Sequence, residues 1–232
     1  MLILFRENIE NRISLSREEI NHIKALRLQS GDWVLVSQGN GIGYYGKIIK
    51  ENKILIDYEI PPLIKNFQNI SIASAIPSGN RFDKMIEMST QLGIGNFYPL
   101  IFERSERKDF SLERTKKIIK QACSQSKNLK LPTIHSSYKF TDFINKISKN
   151  YIIFYADTTK NGLTITEIIN FIKNKSLKNI LVIVGPEGGF SPKEKEFLSQ
   201  NYKCLYLNDN ILRIETAVLS VLSIFAFLEK NI

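Results

Sequence analysis

The chain has 232 residues, 43% of them hydrophobic and 24% charged, with a formal net charge of +9. That is enough apolar material for a real core, and it excludes a disordered chain. With two cysteines far apart, two histidines and no CxxC, neither a disulfide framework nor a structural zinc site is expected, and no metal.

The opening stretch MLILFRENIE is too short an apolar run for a signal peptide. The longest apolar stretch, Ala217–Leu228, falls short of the roughly 20 residues that span a bilayer. A soluble, cytoplasmic protein with no membrane partner is expected. The basic excess is uneven: residues 71–135 carry 11 basic and 6 acidic groups, residues 1–70 carry 9 and 8. Such a surplus fits a polyanionic partner, RNA or DNA being the usual one, or simply a lysine-rich composition.

In chain order, SREEINHIKAL reads as a short helix that Ser16 caps, with Glu19 three positions on. Residues 31–60 read as short strands with turns: WVLVS, the turn QGNGIG, YYGKIIK and KILIDYEI, a pattern that suggests a small barrel. PPLIKNFQN, residues 61–69, reads as a linker. From Ile70 strands alternate with helices: ISIASAI, then the helix RFDKMIEMSTQLG closed by Gly93, then IGNFYPLIF and the helix SLERTKKIIKQACSQS. YIIFYAD, the helix TITEIINFIKN, NILVIVG, the helix SPKEKEFLSQ, KCLYLND and the apolar helix IETAVLSVLSIFAFLEK complete the pattern. The alternation predicts an α/β domain over 70–232, with a mostly parallel sheet and helices on both faces. Residues 1–69 form a separate domain.

LVIVGPEGGFSPKE, residues 181–194, is the most informative stretch. A continuous apolar strand ends in GPEGG, and Ser191, Pro192 and Glu194 spell a helix start: cap, first-turn proline and capping-box acid. Ligands of open α/β sheets bind outside the carboxyl ends of the strands, and glycines let a ligand lie against bare backbone. The loop is either such a site or a plain tight turn. It is no P-loop, because Phe190 follows Gly189 where Lys-Ser/Thr is needed. It also lacks GxGxxG, although Asp209 ends the next strand where a dinucleotide's ribose would need an acid. The second stretch, LYLNDNILRIETAVLS, brings a polar turn and Arg213, Glu215 and Thr216 to the mouth of the last helix. Two such loops together would make a pocket of backbone and small aliphatics. It suits an adenine ring and a sulfonium better than a pyrophosphate.

GPEGGFSPKE with LNDNILRIETA resembles the ribosomal small-subunit RNA uridine N3-methyltransferases of the SPOUT superfamily. The resemblance extends over HIKALRLQSGD, RFDKMIEMSTQLGI, IFERSE and RTKKIIKQACSQSKNLKLPTI. It implies a PUA-like N-terminal β-barrel that binds RNA, a C-terminal α/β domain with a deep trefoil knot, and a homodimer. It implies S-adenosylmethionine as cofactor and N3 of a uridine in 16S rRNA, near the decoding centre, as methyl acceptor. The cofactor residues it implies are Tyr155, Gly185, Pro186, Glu187, Gly188, Gly189, Leu207, Asn208, Ile211, Leu212, Thr216 and Ala217. Four positions depart from the family pattern: Ser78, Gln91, Ser124 and Asn208, the last standing for a glycine and still able to take a left-handed turn conformation.

Arg213 is the candidate catalytic residue, either stabilising a uridine anion or bracing the loops through Glu187 or Glu215. Glu187 is either a base or a brace for its own loop. RNA contacts are expected from Arg6, Arg12, His22, Lys24 and Arg27, and from Arg81, Arg104, Arg114 and Lys127. The last three lie in the run 104–130, which holds 9 basic and 3 acidic residues. Trp33, Tyr44 and Tyr45 either stack bases or fill the small barrel. A dinucleotide-dependent enzyme and a non-catalytic ribosome-assembly factor are the alternative functions.

Overall fold

The computed structural model describes residues 1–50, 52–60, 70–147, 151–158, 162–173 and 179–231; the expected linker, 61–69, lies outside them. The chain divides into two compact units, residues 1–66 with 120–131, and 67–119 with 132–232. The stretch Lys120–Leu131, which the alternation of strands and helices grouped with the second domain, packs in the first unit.

The first unit holds β1 (Ile3–Phe5), β2 (Arg12–Ser14), helix α1 (Arg17–Ala25), β3 (Trp33–Ser37), β4 (Gly43–Ile49) and β5 (Lys53–Ile60). Its five strands are ordered β1-β3-β4-β5-β2, with β1 parallel to β3 and every other pair antiparallel. β1 and β2 are too short, at three residues each, to show a periodicity, and sequence reasoning missed them. The expected capping box of Ser16 and Glu19 is formed, and Arg6 adds a two-pronged bond to Glu19 at 2.6 and 2.7 Å. Strand alternation sends Leu2, Leu4, Val34, Val36, Ile48 and Ile54 to one face, where they form a core with Ile13 and Ile23.

The second unit follows the predicted alternation: β6 (Ile70–Ala75), α2 (Arg81–Gln91), β7 (Asn96–Ile101), then α3 (Leu112–Ser126), whose last turns belong to the first unit. Three short elements went unread: β8 (Thr133–Ile134), β9 (Tyr138–Lys139) and α4 (Phe140–Lys146). Next come β10 (Tyr151–Ala156), α5 (Ile165–Lys173), β11 (Asn179–Val184), α6 (Pro192–Asn201), β12 (Lys203–Leu205) and α7 (Ile214–Asn231). The strands form one parallel sheet ordered β12-β10-β11-β6-β7-β8, with β9 also on β7. β6 is buried along its whole length and β11 after its first residue, as central parallel strands must be.

α2 buries Phe82, Met85 and Ile86 at helical spacing. α7 buries Ile214, Val218, Val221, Leu222 and Phe225 and packs on α2, β6 and β11. That packing fixes where the start of α7 stands against the carboxyl end of β11. No helix among the described residues is long and apolar enough to cross a membrane.

The fold rests on β11. Leu181, fully buried between β10 and β6, should lose about 2–5 kcal/mol of stability as Leu181→Ala, read from the chemical-denaturation midpoint. A loss under 1 kcal/mol would mean that this strand is not central.

Candidate active site

β11 delivers the chain to the carboxyl edge of the sheet, and the glycine loop begins there. At Gly185 an added Cβ would lie 2.9 Å from the Phe190 ring, so no side chain fits beside it. Gly189 sits at φ +69°, a left-handed conformation that a branched residue rarely adopts. Its amide donates to the Pro186 carbonyl at 2.9 Å and closes the turn.

α6 then starts on the predicted capping box. The Ser191 hydroxyl accepts from the Glu194 amide, Glu194 accepts from the Ser191 amide at 2.8 Å, and Pro192 opens the helix. The other oxygen of Glu194 accepts from the Glu103 amide at 2.9 Å. The loop is thereby tied to the segment after β7. Arg104 in that segment donates to the carbonyls of Gly188 at 3.1 Å and Phe190 at 3.4 Å. Arg81, at the start of α2, pairs with Glu187 at 3.2 Å.

The loop between β12 and α7 faces the glycine loop. Asn208 does not use the left-handed conformation open to it: among the described residues, the non-glycine positions with positive φ are Arg27, Asn52 and Lys127. An Asn has a route that a glycine lacks. Its side-chain carbonyl accepts from the Asn210 amide at 2.8 Å and closes the turn by itself. Asp209, the acid that a dinucleotide's ribose would need there, accepts from the Tyr206 hydroxyl at 2.6 Å and does not line the cavity described next.

The two loops enclose one cavity of about 280 Å³. Of the expected cofactor residues, Gly185, Pro186, Glu187, Gly188, Gly189, Leu207, Asn208, Ile211, Leu212 and Ala217 line it; Tyr155 and Thr216 do not. Tyr155 is buried, and its ring meets Phe190 edge-on at 6.2 Å. Burial first, and then Cys204 beside it, pushes the Tyr155 phenol up to about 12. Burial likewise raises the Cys204 thiol, so both groups keep their protons near neutral pH. Thr216 is exposed.

Sequence reasoning missed Ala156, Asp157 and Thr158 at the end of β10, and Phe190, all of which line the cavity. An acid closing the apolar strand YIIFYAD was the available signal. Asp157 pairs with Lys195 at 2.8 Å and accepts from the Thr158 amide at 2.8 Å. The lining thus holds two carboxylates, Asp157 and Glu187, and no lysine, arginine or histidine. Lys195 and Arg81 offset those charges from outside the lining, so the wall offers a pyrophosphate no free cation and sets no like charge against a positively charged ligand.

Arg213 does not line the cavity, but Leu212 and Ile214 on either side of it do. Its side chain is exposed. Neither expected ion pair forms: Glu187 pairs with Arg81, and one buried carboxylate oxygen of Glu215 has no partner. Four of the nine expected RNA contacts are held within the chain. These are Arg6 by Glu19, Arg81 by Glu187, Arg114 by Asp83 at 2.6 Å, and Arg104 by the loop carbonyls. Arg12, His22, Lys24, Arg27 and Lys127 are exposed. Among the described residues no three His, Cys, Asp or Glu side chains cluster to hold a metal.

Comparison with known proteins gives a consistent result. The model of a family described as RNA methyltransferase domain matches residues 65–226. The chain is 28% identical to the ribosomal RNA small subunit methyltransferase E of Aquifex aeolicus, over 97% of this chain and 98% of that protein. It is 27% identical to the protein of the same name from Bacillus subtilis, over 97% and 94%. The fold matches a crystal structure of ribosomal RNA small subunit methyltransferase E from Neisseria gonorrhoeae bound to S-adenosyl methionine. That match has a TM-score of 0.85 at 21% identity, over 98% of each chain.

The Ser191 cap should be worth about 1 kcal/mol. Ser191→Ala should lower global stability by that amount in denaturant titration while the chain stays folded. An unchanged midpoint would show that the box does not anchor α6.

Proposed function

The chain belongs to the RNA methyltransferase domain family, and from that premise we propose that it methylates N3 of a uridine in small-subunit ribosomal RNA, with S-adenosylmethionine as methyl donor. The observation that carries the reading is the single cavity at the meeting of the two loops, with two carboxylates and no cation in its wall. Its volume lies at the low end of the roughly 300–1,000 Å³ usual for small-ligand sites. The open space beside Gly189, with the aliphatic walls Val184, Ile214 and Ala217, suits a flat adenine and a short chain. Ile211, 86% exposed at the rim, offers apolar surface for a ligand to cover.

S-adenosylmethionine, when bound, supplies a methyl group on a positively charged sulfur. The chain's own residues divide the remaining tasks. Asp157 and Glu187 place negative charge in the wall, where it favours a cationic ligand, and Arg81 and Lys195 hold those carboxylates in position. The apolar walls exclude water. Arg213, free of the loop carboxylates, neutralises charge on the uracil ring as its N3 proton leaves for solvent. Tyr155 and Cys204 keep their own protons and take no part in that transfer. In this reading the loop 206–213 and its neighbour 185–190 are the crossing strands of a trefoil knot, the first unit is a PUA-like RNA-binding barrel, and two copies of the chain form a dimer. The likeness to the ribosomal RNA small subunit methyltransferases over nearly the whole chain supports these points, and the SPOUT resemblance of GPEGGFSPKE and LNDNILRIETA agrees with it.

The direct test is transfer of labelled methyl to small subunits from cells lacking this protein, with mass mapping of the modified nucleotide. Methyl on N3 of one uridine is expected; no incorporation would reject the reading and leave a binding role. Arg213→Ala should lower turnover at least tenfold and leave S-adenosylmethionine affinity within about threefold. Lost affinity with intact turnover would make Arg213 a binding residue. Gly189→Val forces a β-branched side chain into a left-handed turn, so calorimetric affinity for the cofactor should disappear. Unchanged affinity would place the cofactor elsewhere.

A further inference from the structure

The first unit carries an open surface that the methyl-transfer site does not use. In a sheet, residues directly paired across strands share a face. Trp33 pairs with Lys47, Lys47 with Leu55, and Leu55 with Arg12. One row therefore crosses β3, β4, β5 and β2 on a single face. Beside it, Tyr45 pairs with Tyr58 just before the register shift of β4 and β5. Three rings meet there: Trp33 and Tyr45 at 5.9 Å and 85°, Trp33 and Tyr58 at 6.1 Å and 66°, Tyr45 and Tyr58 at 5.0 Å and 38°.

Half of this face is closed. Ile3, Leu35 and Ile60 pack with Leu129, with Tyr45 and Phe5 against them, and Ser124 donates to the Ile3 carbonyl at 3.1 Å. The segment 120–131 is thus the cover. The other half is open: Trp33 is 37% exposed, Leu55 41% and Tyr58 51%, and Lys47 and Arg12 are exposed beside them. Lys47 Nζ lies 4.3 Å from the centre of the Trp33 ring. Arg12 makes no ion pair among the described residues.

We propose that the open row Trp33–Lys47–Leu55–Arg12, with Tyr45 and Tyr58, is a stacking platform for unpaired bases of single-stranded RNA. The inference rests on the reading of the chain as an RNA methyltransferase and names the part of the RNA that this unit holds. Exposed aromatic rings between cations form the surface that single strands use: every base has a face to stack, and the cations follow the phosphates. A protein partner would be met by a patch without charge at its centre; here a lysine stands over the tryptophan. Asp57, exposed at the register shift of β5, limits the platform on that side. The phosphate path therefore runs past Lys47 and Arg12.

Trp33 is the only tryptophan of the chain, so its emission reports on this surface alone. Titrating the full chain with an oligoadenylate of about ten nucleotides should quench that emission. Tyr58→Ala should weaken binding about tenfold with S-adenosylmethionine affinity unchanged, and a wild-type unfolding midpoint followed by Trp33 emission shows that the first unit of the variant is folded. Lys47→Gln and Arg12→Gln should each lower the slope of log affinity against log salt by about 0.7. An unquenched tryptophan, or wild-type RNA affinity in Tyr58→Ala, would overturn the platform even if the chain methylates RNA. Quenching by a rise in protein concentration alone would overturn it too, by making this face a protein interface. Quenching by RNA in a chain that transfers no methyl would uphold the platform while sinking the methyltransferase reading.

Discussion

A glycine-rich turn, made at the end of a buried strand, is the constraint on which the second unit depends. β11 lies between β10 and β6 and cannot shift without breaking both pairings. Whatever follows Val184 must clear the sheet edge at once. Gly185 yields space to Phe190 and Gly189 supplies the left-handed residue. The capping box of Ser191 and Glu194 stops the turn and starts α6. Glu194 also reaches Glu103, and Arg104 reaches the loop carbonyls, so one turn organises the segment after β7. Packing of α7 on α2 then brings the second loop to the same edge.

Electrostatics decide what such a cavity holds. Glycine loops at the ends of parallel strands serve phosphates in many folds, where helix amino ends and lysines face the ligand. Here the wall carries Asp157 and Glu187, and the nearby cations are spent on them or on loop carbonyls: Lys195 on Asp157, Arg81 on Glu187, Arg104 on Gly188 and Phe190. A pyrophosphate would meet two carboxylates and no cation left free to hold it. A ligand with positive charge meets them with gain. The loop thus resembles a nucleotide-binding loop in shape and differs from one in charge.

The sequence made the long elements legible because their periodicity is strong, and the α6 start legible because Ser191, Pro192 and Glu194 each have a local reason to stand there. Elements of two or three residues, such as β2, β8 and β9, have no period to read; they exist because a neighbouring strand offers free backbone groups. The ten lining residues foreseen come from two motifs contiguous in sequence. Asp157 escaped because its role depends on β10 lying beside β11, a fact of strand order. Asn208 turns the chain without a left-handed conformation for a different reason: a side-chain amide can close a turn that glycine closes by backbone freedom. The partners of Arg6, Arg81, Arg104 and Arg114 within the chain were out of reach for a similar reason, since a count of charges cannot tell which arginines pair with the chain itself.

Calorimetry comparing S-adenosylmethionine with a nicotinamide dinucleotide, each titrated into the full chain at low salt, tests the charge of the cavity most directly. The account predicts one site per chain for the sulfonium compound, weakened at least tenfold when Asp157 becomes asparagine, and no heat from the dinucleotide. Tight dinucleotide binding, or indifference of the sulfonium compound to Asp157, would contradict it.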